Sequence, residues 1–189
     1  MEIDKLDPAK SKMQSVKQRF FALRNGIVAD FLRKAGSPYR IIFGLNLPQL
    51  QEVASVFGYD DELAEQLWRD TSARESRLLA PMLINPADFS IERAVQWIEQ
   101  GIGTTEEIDL FCHNLLRKMP GRTELFDLFS SSENVYKRYA ALRLGFTIAS
   151  TDPEKVLSFV EKEIGAANAL TQNVAHQLRE HIMFLQGNY

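Results

Sequence analysis

Residues Arg122 to Ala149 read RTELFDLFSSSENVYKRYAALRLGFTIA. In the first nine, Leu125, Phe126 and Phe129 recur three and four residues apart, the spacing that lines one face of an α-helix. The polar run Ser130-Ser-Ser-Glu-Asn134 interrupts that pattern, and apolar positions at helical spacing resume through Leu142, Phe146 and Ala149. Nothing here alternates with the two-residue period of a strand. The stretch therefore predicts two helices, near 122–130 and 132–149, joined by a short break. Early in the second, Arg138 is followed by Tyr139-Ala140-Ala141, and small residues at that point let a neighbouring helix approach closely.

The same punctuation runs through the chain. Helices are expected near 10–23, 25–35, 47–57, 60–70, 73–84, 90–100, 104–119, 122–130, 132–149, 153–164 and 167–186. Ser72 with Glu75, Thr104 with Glu107 and Ser130 with Glu133 have capping-box spacing, and Asp152-Pro153 sets an N-cap before a proline at the first helical position. Gly36, Gly58, Gly101, Pro120 and Gly165 read as stops, and Pro81 should kink or end its helix. From Asp60 onward the helices come in pairs, whose first members begin near Asp60, Ser90, Arg122 and Pro153, about 31 residues apart, a solenoid period. Second members carry Arg77-Leu-Leu-Ala, Asp109-Leu-Phe-Cys, Arg138-Tyr-Ala-Ala and Asn173-Val-Ala-His. The expected fold is all-α, a right-handed HEAT/ARM-like solenoid of antiparallel helix pairs. It forms a single domain, residues 1–189, with an N-terminal helical cap over 1–58 and about four pairs over 59–189.

Composition removes several functions. No apolar run approaches the roughly 20 residues a membrane-spanning helix needs, and Met1 to Lys17 is charged and polar rather than a secretory signal. One cysteine, Cys112, excludes an internal disulfide framework and a cysteine-based zinc cluster, so a cytoplasmic protein is expected. His113, His176 and His181 lack metal-site spacing, and no phosphate loop, zincin, nucleophile-elbow or calcium-loop motif occurs. Gly101-Ile-Gly103 follows no strand and reads as a helix-to-helix turn. No metal and no cofactor is expected. Trp68, Trp97 and Cys112 sit at core-compatible positions.

The charge is uneven. With 22 Lys+Arg and 25 Asp+Glu the chain carries −3, yet residues 1–40 hold nine cations and four carboxylates (+5) and residues 41–189 hold 13 and 21 (−8). The N-terminal part is thus a basic amphipathic helical pair with Phe20, Phe21, Ile27, Val28, Phe31 and Leu32 on its apolar side. It reads as a capping unit with a solvated face, or as a contact for phosphates or an anionic membrane surface. Arg77, Asp109, Arg138 and Asn173 occupy equivalent places in successive second helices and should stack in a column on one surface. Two readings stay open: a ladder in which Asp109 pairs with Arg77 and Arg138, or a cleft where cations hold phosphates and a carboxylate faces developing positive charge.

Glu65-Gln-Leu-Trp68, followed by Ala73-Arg-Glu-Ser-Arg-Leu-Leu-Ala80, then by Thr104 to Leu116 and Val135-Tyr-Lys-Arg138-Tyr-Ala-Ala141, resembles the repeat of the HEAT-repeat bacterial alkylpurine DNA glycosylases (AlkD-like). The similarity covers about residues 48–150, with a weaker match over Ala169 to His181. The resemblance implies a concave face that grips duplex DNA and hydrolysis of the N-glycosidic bond of N3- or N7-alkylated purines without a metal. It matches Asp109 to the family's catalytic aspartate and Arg138 to an arginine on the DNA backbone; Arg77, Lys137 and Arg74 are expected as further DNA contacts. The chain departs from the family where tryptophans should pack against the lesion: Thr105 stands one turn before Asp109, and no aromatic lies beside His176 and Gln177. The chain also ends at Tyr189, earlier than a complete array implies. A divergent DNA-binding relative is the expected function. The alternative is a non-enzymatic scaffold whose groove takes a protein or peptide.

Overall fold

A computed structural model describes residues 11–187. The ends of the chain, with Lys5, Lys10 and Tyr189, lie outside the described residues. Among those described there are eleven α-helices and no strand, only one isolated parallel bridge between Ile41 and Ala73. No helix among them is long and apolar enough to cross a membrane. The fold divides into two compact units after Asn85.

The first unit holds α1 (Lys12–Ala22), α2 (Gly26–Lys34), α3 (Leu47–Phe57), α4 (Asp61–Arg69) and α5 (Arg74–Leu79). Side-chain caps start the first four. Ser11 and Asn46 form reciprocal capping boxes with Gln14 and Gln49, and Asn25 and Asp60 accept from the amides of Val28 and Leu63. Pro81 acts as read: the α-helix stops at Leu79, and Ala80–Leu83 tightens into a 3₁₀ turn. The core is built from Val16, Phe20, Leu50, Val53, Leu63, Leu67, Trp68 and Leu79.

Ser72 and Glu75 do not form the expected capping box; the N-cap is Ala73, with no side-chain bond. Glu75 is instead fully buried and reaches the loop before α3, where it accepts from the amides of Phe43 (3.0 Å), Gly44 (2.9 Å) and Leu45 (3.3 Å). Arg74 Nη1 donates to the same carboxylate at 2.8 Å and to the Leu45 carbonyl at 3.2 Å. This long-range bonding ties α5 to the loop before α3 within the first unit, residues 1–85.

The second unit holds α6 (Ile91–Glu99), α7 (Thr105–Asn114), α8 (Arg122–Ser130), α9 (Val135–Ile148), α10 (Pro153–Ala166) and α11 (Gln172–Leu185). Ser90, Asn134 and Asp152 cap α6, α9 and α10, the last with Pro153 at the first helical position as expected. The Ser130/Glu133 box is not made, because Ser130 ends α8 and Asn134 takes the capping role. Thr104 is the N-cap of α7 without a side-chain cap bond, and Glu107 accepts from the amide of Gly103 at 3.2 Å. Helix α9 lies at the centre, packed on α7, α8, α10 and α11. Gly145 permits this: a Cβ there would stand 2.6 Å from Leu178 Cδ2 of α11 and 3.1 Å from Val156 Cγ1 of α10. Trp97 stacks on Phe111 with ring centroids 5.3 Å apart, and Phe89 meets both rings edge-on, so Trp97 is core as read.

Candidate functional site

Three side chains meet on the facing surfaces of α7 and α9. Asp109 lies on the second turn of α7, while Tyr139 and Arg143 are four residues apart on α9 and so share one face. Asp109 Oδ1 accepts from Arg143 Nε at 2.6 Å and from the Tyr139 hydroxyl at 3.0 Å, and Arg143 Nη2 reaches that hydroxyl at 3.1 Å. Oδ2 has no protein partner among the described residues, and the Asp109 side chain is 35% exposed. The carboxylate is thus held by two donors through one oxygen, and the other is left without a protein partner on a partly exposed side chain.

The electrostatics follow from this geometry. Burial, reinforced by the Asp109 charge, raises the Tyr139 phenol above its ordinary range and keeps it a neutral donor. Burial alone would lower the Arg143 pKa, but the bond to Asp109 and its charge raise it. Cys112, one turn after Asp109, is buried with its thiol against the Ala140 carbonyl; burial and then Asp109 push its pKa up, so it is a packing residue and no nucleophile. No group of three or more His, Cys, Asp or Glu among the described residues is arranged to hold a metal.

The expected DNA contacts are placed unevenly. Arg77 is a core residue at 1% exposure: its guanidinium stacks 3.7 Å over the Trp68 ring and donates to the Trp68 carbonyl. Arg74 is buried with Glu75. Neither is presented to a phosphate, because the Arg77 head group is held on Trp68 and that of Arg74 on Glu75 and the Leu45 carbonyl; the apolar run Leu78 to Ile84 beside Arg77 was the sequence signal for burial. Lys137 pairs with Glu99 of α6 at 2.6 Å. Arg138 is clamped by Glu163 of α10 (Nε, 2.8 Å) and by the carbonyls of Ser132 (3.1 Å) and Glu133 (2.7 Å), both to Nη1. Its Nη2 has no protein partner among the described residues, and 18% of the side chain is exposed.

The ladder is not built as expected either. Arg143, which sequence reasoning passed over, takes the partnership with Asp109, and Arg138 turns to Glu163. Tyr139 was the available clue, since the residue four positions after it on α9 must face the same neighbour. Thr105 is half-buried at the start of α7, and the aromatic that does touch Asp109 is Tyr139, buried on the opposite helix.

The model of a family described as DNA alkylation repair enzyme matches residues 16–181. Among solved structures, the chain is similar to one described as belonging to a new family of proteins related to the HEAT-like repeat DNA glycosylases with affinity for branched DNA structures. The identity is 15%, the TM-score 0.78, and the match covers 94% of this chain and 78% of the other. No curated protein matches the chain. The likeness establishes the expected HEAT-like helical fold.

Proposed function

The chain belongs to the DNA alkylation repair enzyme family, and from that membership we propose a DNA-binding, glycosylase-like protein centred on Asp109. The observation that carries the proposal is the half-exposed Asp109 carboxylate, fixed through Oδ1 and open at Oδ2. An N3- or N7-alkylated purine is already cationic and leaves with the electron pair of the N-glycosidic bond. The positive charge then appears at the sugar C1′, where a fixed carboxylate lowers the barrier electrostatically before water adds. Arg138, held on two sides with Nη2 open, is suited to one phosphate oxygen. The described affinity of the structural relative for branched DNA extends the substrates to be tested from linear duplex to branched forms.

One observation favours a second, non-catalytic reading. Lys137, Arg138 and Arg143 each face a carboxylate, so this surface carries little net positive charge. A scaffold that takes a protein or peptide would look the same. Incubation with methylated DNA and measurement of released 7-methylguanine and 3-methyladenine decides the chemistry: wild type should release base, and Asp109→Asn should release none. A wild type that releases nothing ends the glycosylase reading. Binding that weakens steeply between about 50 and 200 mM salt supports a DNA protein, and no DNA binding at low salt leaves the scaffold.

A further inference from the structure

Helix α2 turns its apolar residues outward. Ile27 and Phe31 are 85% and 69% exposed, and with Lys34 they occupy positions i, i+4 and i+7, one face of the helix. Phe21, at the end of α1, is also exposed, with the Arg24 guanidinium 3.8 Å over its ring. The opposite face, Ala29 and Leu32, is the one that packs, against Tyr39 and Ile42.

The mount beneath this face is rigid. The Asn25 amide donates to the Phe43 carbonyl at 2.8 Å, and Arg33 Nη2 donates to the Ile42 carbonyl at 3.3 Å. Gly44, at φ +79°, brings the loop so close that a Cβ there would lie 2.3 Å from the Asn25 carbonyl oxygen. The Glu75 carboxylate holds the amides of residues 43–45 from below. An exposed apolar ridge is therefore anchored by hydrogen bonds on its inner side, which a merely solvated cap does not require.

We propose that α2 is a wedge that places Ile27 and Phe31 against the unstacked bases at a branch point in DNA, with Arg24 and Lys34 on the flanking phosphates. The inference rests on the DNA-binding reading above. Apolar side chains inserted at base steps are a recurrent way of holding distorted DNA, and an aromatic ring gains stacking on any base without reading sequence. The cationic rim matches a polyanion. The other occupants fit less well: three or four side chains on a nine-residue helix fall short of the roughly 800 Å² per partner of a stable dimer. They also make a weak single anchor for a membrane.

The test uses the full chain with a four-way DNA junction and a linear duplex of the same sequences, each followed by fluorescence anisotropy. A 2-aminopurine at the branch point reports stacking directly. Wild type should prefer the junction and change the 2-aminopurine emission. The double variant Ile27→Ser/Phe31→Ser, with an unchanged melting curve, should lose about tenfold in junction affinity and the emission change while keeping its duplex affinity; Phe31→Trp should retain both. Equal junction preference in wild type and double variant, with DNA binding intact, overturns the wedge alone. Absence of DNA binding by wild type overturns the functional reading and the wedge with it. Loss in the double variant of binding to phosphatidylserine vesicles, or of a dimer in sedimentation, would assign the face to those partners and overturn the wedge.

Discussion

Removing the Glu75 carboxylate should loosen the first unit at one identifiable place. Its Oε1 accepts from the Gly44 and Leu45 amides and from Arg74 Nη1, and its Oε2 accepts from the Phe43 amide. In Glu75→Ala two buried amides and the partly buried one of Phe43 lose their acceptor and a buried guanidinium loses its counter-charge, a loss that costs about 3–5 kcal/mol. In a chain of this size each kcal/mol moves the melting temperature by about 2–4 °C, so a fall of about 6–20 °C is expected. Glu75→Gln should be milder, about 1–3 kcal/mol. Its carbonyl oxygen can keep the Oε1 partners, while its NH₂ confronts the Phe43 amide, donor against donor. Thermal melts followed by circular dichroism give the order wild type, Gln, Ala. Hydrogen exchange should speed up at the amides of residues 43–45, and then in α2, which is bonded to that loop. Variants within about 0.5 kcal/mol of wild type, or unchanged exchange at those amides, would refute the reasoning.

Two further outcomes concern α9. Gly145→Ala gains helix propensity but drives a Cβ to 2.6 Å from Leu178 Cδ2, so the buried Leu178 side chain or the helix itself must shift and the urea midpoint should fall by the equivalent of about 1–2 kcal/mol; a stabilised variant would show that the close approach is not required. Tyr139 has a raised phenol pKa, so its contribution to stability is complete below its ordinary value of 10.0 and is lost as pH rises through the higher folded value. The phenolate absorbance of wild type minus Tyr139→Phe should therefore appear above pH 10.0 in the folded protein, and an ordinary titration there would contradict the buried hydrogen bonds to Asp109 and Arg143.

The fold was legible because its cues are local. Periodicity, Asp152-Pro153, Pro81 and the stops at Gly36, Gly58 and Gly101 place most helices to within a few residues, whereas Gly165 does not stop α10, which runs to Ala166 and ends on left-handed Ala167; Trp68, Trp97 and Cys112 are buried as their spacing implies. The site was legible only as far as its register. Asp109 was singled out because it stands at the repeated position; its partner was not, because the choice between Arg138 and Arg143 depends on how α9 rotates against α7 and α10. Glu75 failed for the same reason. Its capping-box spacing is a local statement, and three amides some thirty residues earlier outcompeted it. Arg74 and Arg77 read as surface cations by residue type, and tertiary partners, Leu45 and Glu75 for the first and Trp68 for the second, make them core residues.

The pairing of Asp109 also ranks the two halves of the functional reading. A carboxylate that stabilises a growing cation acts through its net charge, and Arg143 stands 2.6 Å away carrying the opposite one. At the distance of a lesion the pair is close to a dipole, whose field falls faster than that of a lone carboxylate. An approaching phosphate is the natural competitor for Arg143, because it offers the same charge and a planar-fork match. On the proposed reading, DNA binding and catalysis are coupled: a phosphate that draws Arg143 away would return the full charge to Asp109, whereas an unbound site remains neutralised. On that reading, binding can use the Nη2 of Arg138 and leave the Asp109–Arg143 pair intact, while base release additionally requires that exchange of partners, which makes binding the more robust consequence of this arrangement.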